Sequence, residues 1–160
     1  MLDQVFDNIY IGESETVQKQ DEVYKEEITT IVRLDQIPRT QGQWSGKFTL
    51  LDMPIPDCEY LEGDTIEVIT AFMHKHIEDG KNVLVHCHMG ISRSVSMVMA
   101  YLIEYESMSL AEAYGTVREG RVSAYPHDRL LLSLIDHYDL PYNPNTVYNP
   151  QFLAKLLEDV

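Results

Sequence analysis

Two adjoining apolar segments near the middle of the chain restrict its fold more than any other feature. Residues 83–85 read Val-Leu-Val, a short apolar run that is typical of a parallel strand covered on both faces. Residues 94–105 are apolar nearly all round, which indicates a helix buried on every side. A strand and a helix of this kind, one after the other, predict an α/β domain with the strand at its centre.

Weaker patterns predict the remaining elements. Residues 64–67 and 109–112 are each typical of a capping box that opens a helix, and Pro126 suits the first turn of another helix. The other expected elements are a polar helix over residues 14–27, strands at 9–11, 28–34 and 48–53, a loop at 39–47, and a last short helix at 152–157. Because strands with intervening helices are followed by helices only, we expect a single α/β domain.

The charge of the chain limits its partners. It carries 26 acidic and 12 basic residues, a formal net charge of −14, which opposes binding to nucleic acid or to anionic lipid. No apolar stretch reaches the ~20 residues needed to span a bilayer, and the first residues lack the pattern of a secretory signal. We therefore expect a cytoplasmic protein that contacts neither nucleic acid nor membrane. The sequence leaves the oligomeric state open, with a monomer as the default expectation.

The segment between the central strand and the buried helix carries the chemistry. Cys87 begins the connecting loop, and Arg93 ends it after five intervening residues. The start of a helix binds anions through its free N–H groups and its dipole, and Gly90 lets the backbone curl so that successive N–H groups converge. Such a ring of donors favours the thiolate form of Cys87, and the planar guanidinium of Arg93 can bind two phosphate oxygens at once. These features are what attack of sulfur on phosphorus requires.

The segment His86-Cys-His-Met-Gly-Ile-Ser-Arg-Ser94 resembles the signature loop (here residues 87–93) of the small dual-specificity phosphatases, which are part of the protein tyrosine phosphatase superfamily. Residues 8–12 also resemble the first strand of that family. The resemblance covers most of the chain and implies a mixed, mostly parallel sheet of four to five strands flanked by helices. We expect this domain at residues 1–140, followed by an extension at 141–160 whose short helix packs on the same domain.

The resemblance implies a role for each residue of the motif and no cofactor. Cys87 is the nucleophile that forms a phosphocysteine intermediate, Ser94 eases departure of the thiolate from it, and His86 orients the loop. The residues that bind the phosphoryl group are then His88, Met89, Gly90, Ile91, Ser92 and Arg93. The expected activity is hydrolysis of phosphotyrosine and of phosphoserine or phosphothreonine in proteins.

A general acid is expected in the loop after the strand at residues 48–53. Asp57 lies thirty positions before Cys87, where the family places its acid loop. Pro54 and Pro56 stiffen this segment, so a carboxylate can be presented at little cost in entropy. Asp52 is a rival in the same segment, but its position suits the strand rather than the mouth of the loop.

The chain departs from the family pattern at Met89 and His127. A third residue, Arg121, fits the pattern, but its role is less specific. Met89 replaces a usually small loop residue, which makes the rim of the pocket bulkier or more apolar. His127 follows Pro126 where many relatives have an asparagine that supports the signature loop, so that support is either missing or supplied by the imidazole. Arg121 lies where relatives often have an arginine near the pocket, and it is a candidate second contact to the anion.

Several alternatives compete with this interpretation. Zinc binding by His86, Cys87, His88 and Cys58 is disfavoured because the spacing of these residues does not close a metal site. Cys58 could form a redox pair with Cys87, although an ordinary loop cysteine fits the sequence better. The substrate could also be a non-protein phosphate such as an RNA 5′-triphosphate or a phosphoinositide, and an inactive phosphate-binding module is a third reading.

Overall fold

The computed structural model describes residues 2–17, 20–38, 44 and 48–141. All of the predicted 141–160 extension except its first residue, including its predicted helix, and most of the predicted 39–47 loop lie outside the described residues. In the described part the elements follow in this order: β1 (Asp3–Phe6), β2 (Ile9–Glu13), α1 (Ser14–Val17), α2 (Gln20–Lys25), β3 (Ile28–Arg33), β4 (Thr49–Asp52), α3 (Gly63–Glu78), β5 (Asn82–Cys87), α4 (Arg93–Tyr105), α5 (Leu110–Gly120) and α6 (Asp128–His137).

The strands form one sheet in the order β1-β2-β5-β3-β4. β1 pairs antiparallel with β2, whereas β2, β5, β3 and β4 run parallel to one another. The sheet confirms the predicted α/β class, the mixed and mostly parallel pairing, and the central place of residues 83–85. Because parallel strands end at the same edge of a sheet, β5 brings Cys87 beside Glu13 of β2 and His86 beside Arg33 of β3. Ligand sites of α/β sheets lie at this carboxyl edge.

The central strand is apolar on both faces because its side chains alternate between two cores. Val83 and Val85 belong to the larger core, and Leu84 packs with Ile31 and Trp44 in the smaller one. In α4, every residue from position 93 to 103 is buried, and the helix packs against α3, α5, α6 and β5. The prediction of a buried helix after the central strand is therefore confirmed. The N-terminus of α4 is fixed by this packing directly below the carboxyl end of β5.

The helix starts follow the sequence signals only in part. Ser109 caps α5 in a full capping box: its hydroxyl accepts the N–H of Glu112 at 3.1 Å, and the Glu112 carboxylate accepts the N–H of Ser109 at 3.4 Å. The box predicted at residues 64–67 is wrong, because the N-cap of α3 is Glu62, two residues before Asp64, and it makes no side-chain capping bond. Pro126 is not in the first turn of α6 either, since His127 is the N-cap and its Nδ1 accepts the N–H of Arg129 at 3.1 Å.

Two further differences concern the start of the chain. The single helix predicted over residues 14–27 is two short helices, α1 and α2. The sequence analysis also missed β1, whose residues Asp3 and Gln4 are not typical of a strand but pair with Ile11 and Tyr10 of β2. None of the helices in the described ranges combines the length and the apolarity that crossing a bilayer requires.

Candidate active site

The signature loop joins the end of β5 to the start of α4. Cys87 is the last residue of the strand, and Arg93 is the first residue of the helix. The positive end of the helix dipole and the free N–H groups of its first turn therefore face the space beside the Cys87 sulfur. A phosphoryl group in that space lies where a helix N-terminus binds anions best.

The backbone of the loop is held from outside. Its carbonyl oxygens accept hydrogen bonds from groups elsewhere in the chain: His88 from the Ser14 N–H (3.0 Å), Met89 and Gly90 from the Arg121 guanidinium (3.3 and 2.7 Å), and Ile91 from the Tyr125 N–H (2.9 Å). A peptide unit is planar and trans, so its N–H points away from its C=O. The carbonyls are bound on the outer side, and the N–H groups of the same peptide units consequently turn inward around the sulfur.

Gly90 makes this curvature possible. Its φ of +65° is in the left-handed region that side chains disfavour. A Cβ at this position would also lie 2.6 Å from Nη2 of Arg121 and 2.9 Å from the carbonyl oxygen of Gly12. Backbone conformation and space therefore both require glycine here.

The sulfur of Cys87 lies at the floor of the loop and is contacted by two groups. The N–H of Gly90 donates to Sγ at 3.2 Å, and the hydroxyl of Ser94 lies 3.3 Å from it. The cysteine residue is only 2% exposed, so its sulfur is approached through the cavity above it rather than from bulk solvent. The sulfur is thus hydrogen-bonded at the floor of the loop rather than packed only against apolar side chains.

The guanidinium of Arg93 forms one side of the same space. Its Nη1 donates to the carbonyl oxygen of Ile55 at 3.2 Å, which ties α4 to the segment after β4. Its Nε is buried, has no hydrogen-bond partner among the described residues, and lies 3.9 Å from Oδ1 of Asp57. A donor at this position is available to an oxygen of a bound phosphoryl group.

Asp57 lines the same space next to Arg93, and it is in the proline-containing segment after β4. Its carboxylate is half-exposed and accepts the N–H of Cys58 at 3.0 Å. Asp52, the rival acid, is in β4, and its Oδ1 accepts a hydrogen bond from Nη1 of Arg33 at 2.9 Å. The structure thus places Asp57 beside Arg93, whereas the carboxylate of Asp52 is bound to Arg33 on the sheet.

One cavity brings most of these groups together. This active-site cavity has a volume of about 200 Å³ and is lined by Asp57, Cys87, His88, Met89, Ile91, Ser92 and Arg93. Met89 is 52% exposed, which agrees with the expectation of a more apolar rim. Three of the predicted site residues do not line the cavity: Gly90 shapes the loop, Ser94 contacts the sulfur from the helix, and His86 is buried beneath it.

His86 is fully buried between β2 and β3, beside the ring of Trp44. Burial lowers the pKa of this histidine to about 4, although the Asp35 carboxylate 3.7 Å away acts in the other direction. The imidazole is therefore neutral near pH 7 and supports the loop by packing rather than by charge. The polar groups nearest to its ring are the Asp35 carboxylate and the backbone of Cys87.

A buried polar group that sequence reasoning missed lies below the loop. Asp35 forms an ion pair with Arg33 at 2.8 Å and accepts a hydrogen bond from the Ser14 hydroxyl at 2.7 Å. Ser14 Oγ also lies 3.2 Å from the carbonyl oxygen of Cys87. Ser14 and Asp35 are far from Cys87 in sequence and carry no motif, so only the pairing of β2, β5 and β3 shows that they meet there.

Arg121 and His127 support the loop differently from what the sequence suggested. Arg121 is buried outside the cavity lining, where it binds the carbonyls of Met89 and Gly90 and pairs with Asp3 at 2.8 Å. These contacts make it a support of the loop rather than a second contact to the anion. His127 contacts the loop through its backbone: its N–H donates to Oγ of Ser92 at 3.0 Å, while its imidazole caps α6.

The two cysteines are both free in the structure. Cys58 is an exposed residue. The limited desolvation of its thiol and the negative charge of the Asp57 carboxylate raise the pKa of that thiol. In the part of the chain that the structure describes, no three histidine, cysteine or acidic side chains are arranged to hold a metal ion. The zinc alternative therefore gains no support from the geometry.

Comparisons with known proteins agree with this geometry. A family model described as the dual specificity phosphatase catalytic domain matches residues 9–139. The chain is similar to dual specificity protein phosphatase 1B of Arabidopsis thaliana, at 42% identity over 64 residues, 40% of this chain and 38% of that protein. It is also similar to phosphatidylglycerophosphate phosphatase PTPMT2 of the same plant, at 36% identity over 97 residues, 58% of this chain and 42% of that protein. The matches thus span about two fifths of the length of these relatives.

The fold has close counterparts among solved structures. The crystal structure of human DUSP28 superposes with a TM-score of 0.78 and covers 86% of this chain and 93% of that one. Sequence identity in this pair is 22%, so the likeness concerns the fold.

Proposed function

This chain belongs to the dual specificity phosphatase family, and we propose that it is a protein phosphatase acting on phosphotyrosine and on phosphoserine or phosphothreonine. The observation that supports this most directly is the position of the Cys87 sulfur at the floor of a cavity, with Arg93 and Asp57 on its walls. Such a site binds a phosphoryl group, supplies a nucleophile and holds an acid near the leaving oxygen.

In the first step, the Cys87 thiolate attacks the phosphorus of the bound phosphate ester. A sulfur–phosphorus bond forms as the bond between phosphorus and the leaving oxygen breaks. Asp57, in its protonated form, transfers its proton to that oxygen, so the substrate departs as a neutral alcohol or phenol. Arg93 and the inward N–H groups bind the three remaining phosphoryl oxygens, where charge is stabilised in the transition state.

In the second step, water attacks the phosphorus of the phosphocysteine. Asp57, now a carboxylate, takes a proton from the water, and the sulfur–phosphorus bond breaks to release inorganic phosphate and the thiolate. The Ser94 hydroxyl, 3.3 Å from the sulfur, stabilises the thiolate as it leaves. Both steps use only groups that the signature loop and the Asp57 segment hold together.

Replacement of the nucleophile tests the proposal. We expect Cys87→Ser to abolish release of phosphate from an aryl phosphate and from phosphopeptides, because an alcohol at this position is not ionised. Radiolabelled substrate quenched in acid should leave phosphate on the wild-type protein and none on the variant. Binding of vanadate or inorganic phosphate should persist, since the loop and Arg93 are unchanged.

Cys58→Ser is the matched control, because it removes the other cysteine, which is exposed. It should retain both turnover and the acid-stable intermediate. Turnover by Cys87→Ser, or labelling that disappears in Cys58→Ser instead, would contradict the assignment of the nucleophile.

A second candidate function is hydrolysis of a lipid phosphate. The similarity to a phosphatidylglycerophosphate phosphatase favours it. Two features oppose it: residues 88–92 contain no lysine or arginine to bind a second phosphate, and a net charge of −14 repels an anionic membrane surface. Rates on phosphopeptides, phosphoinositides, phosphatidylglycerophosphate and RNA 5′-triphosphate under one condition distinguish the candidates, and faster turnover of any non-protein substrate would overturn the protein phosphatase proposal.

A further inference from the structure

A second cavity opens beside the active-site cavity. This flanking cavity has a volume of about 240 Å³ and is lined by Asp57, Cys58, Ser92, Tyr125, His127 and Asp128. Asp57 and Ser92 line both cavities, so the two spaces share a wall. Tyr125, His127 and Asp128 take no part in the two chemical steps described above. The side of the cavity that they form therefore has no role in the proposed mechanism.

The flanking cavity is built onto the signature loop. The N–H of Tyr125 donates to the carbonyl oxygen of Ile91 at 2.9 Å, and the N–H of His127 donates to Oγ of Ser92 at 3.0 Å. Asp128 follows directly as the first residue of α6. Because the same backbone contacts hold the loop and this wall, the flanking cavity keeps a fixed position relative to the Cys87 sulfur.

The lining of the flanking cavity suits a cation. Asp128 contributes a carboxylate, and the ring of Tyr125 is 54% exposed, so one of its faces is available for a cation–π contact. The lining contains no lysine or arginine; the neighbouring Arg129 is exposed and is not part of it. Asp57 must carry a proton when it acts as the acid, so the charge that attracts a cation is assigned to Asp128.

When a phosphopeptide is bound, the side chains next to its phosphorylated residue lie near the flanking cavity. When a phosphorylated residue occupies the active-site cavity, an extended peptide places the next residues at intervals of about 3.3–3.6 Å. A side chain one or two positions away therefore reaches a cavity that shares a wall with the first. The net charge of −14 disfavours an acidic peptide at long range and favours a basic one.

The geometry points to a specificity site: the flanking cavity selects phosphopeptides with arginine or lysine within two residues of the phosphorylated residue, through Asp128 and Tyr125. This inference rests on the proposed protein phosphatase function. It assigns Asp128 a part in substrate choice and none in the chemistry at phosphorus.

Matched phosphotyrosine peptides test the inference. Each carries arginine, glutamine or glutamate at one position from two residues before to two residues after the phosphotyrosine, and kcat/KM is measured for each. At one or more positions we expect arginine to exceed glutamine by about five- to tenfold, mainly through KM, with glutamate below both. Asp128→Asn should remove the preference for arginine and leave kcat on a small aryl phosphate unchanged. Tyr125→Leu should weaken the preference, and Tyr125→Phe should retain it.

Asp79→Asn is the charge-matched control. Asp79 is exposed and precedes β5, at the edge of the sheet opposite Cys87, so its loss should leave the arginine preference intact. Equal kcat/KM for arginine and glutamine peptides in the wild type, or a preference that survives Asp128→Asn, would overturn the specificity site alone. Hydrolysis of the aryl phosphate with no hydrolysis of any phosphopeptide would instead overturn the protein phosphatase function, and the specificity site with it.

Discussion

At the scale of single residues, the reactivity of Cys87 depends on donors that come from separate parts of the site. The Gly90 N–H comes from the loop and the Ser94 hydroxyl comes from the first turn of α4. Asp57 is delivered by a third segment, whose Ile55 carbonyl is bound by Arg93. Asp57 and Cys87, the proposed acid and nucleophile, are therefore positioned relative to each other through one guanidinium.

Replacement of Asp57 tests its proposed role as the general acid. We expect Asp57→Asn to lower kcat on a phosphopeptide by about 10²–10⁴-fold, because the leaving oxygen departs without a proton. The loss should be much smaller for an aryl phosphate with a strongly acidic leaving group. The alkaline limb of the pH–rate profile should also disappear, since it reports ionisation of the acid. Measurement of kcat against pH for both substrates checks these expectations.

Asp52→Asn is the comparison for this experiment, because Asp52 is the neighbouring acid and is bound to Arg33 on the sheet. It should keep the wild-type rate on both substrates. A large loss in Asp52→Asn, with little loss in Asp57→Asn, would exchange the roles of the two carboxylates.

At the scale of elements, the signature loop owes its shape to contacts with the start of α1, the C-cap of α5 and the segment before α6. Arg121, at the C-cap of α5, alone binds two consecutive loop carbonyls and also pairs with Asp3 in β1. β1 is thereby linked to the active site even though it is an edge strand and does not pair with β5, the strand that carries Cys87.

A lysine at position 121 should loosen the loop. Its ammonium cannot reproduce the planar arrangement by which the guanidinium contacts Gly90, Met89 and Asp3 together. We expect Arg121→Lys to lower kcat/KM by about 10- to 100-fold through misplacement of the loop N–H groups. Affinity for vanadate should fall in parallel, because the same groups bind it.

Arg118→Lys is the control on the same helix, since Arg118 bonds the hydroxyl of Tyr114 rather than the loop. It should keep wild-type kinetics and vanadate affinity. Unchanged vanadate binding in Arg121→Lys would show that Arg121 does not hold the loop in its binding conformation.

The sequence predicted the elements whose signals are local. Residues 83–85 and 94–103 are mostly apolar and all buried, and the cap of α5 is formed within residues 109–112. β1 was not predicted because its strand conformation comes from pairing with β2. The box at 64–67 failed because its pattern is displaced from the actual start of α3 at Gly63.

The candidate site, like the fold, was predicted from the sequence only in part. The motif in residues 86–94 is a local signal, and the family resemblance implied Asp57; the structure places Asp57 and Cys87 on one cavity. The supports of the loop were not predicted as supports: Ser14 and Asp35 were not singled out, and Arg121 was expected to contact the anion. All three reach the loop region through the order of the strands and the path of α5. Their side chains carry no pattern that shows which backbone carbonyl or carboxylate they bind.

At the scale of the whole molecule, the charge of the chain opposes the charge of its proposed substrate. In the proposed mechanism, one guanidinium and a ring of N–H groups bind a phosphate group within a protein of net charge −14. The local attraction acts over a few ångströms and is little affected by salt, whereas the long-range repulsion is screened. Ionic strength therefore separates the two contributions.

Raising sodium chloride from 10 mM to 150 mM shortens the Debye length from about 30 Å to about 8 Å. We expect kcat/KM to rise by roughly two- to fivefold for a phosphopeptide flanked by glutamates and to fall by a similar factor for one flanked by arginines. Neutralising three exposed acids that precede β2, β3 and β5 (Asp7→Asn, Glu26→Gln and Asp79→Asn) should reduce both slopes, because they lie at the edge of the sheet opposite Cys87 and contribute to the long-range field. Salt dependence of the same sign for both peptides would show that the field of the whole chain does not reach the site.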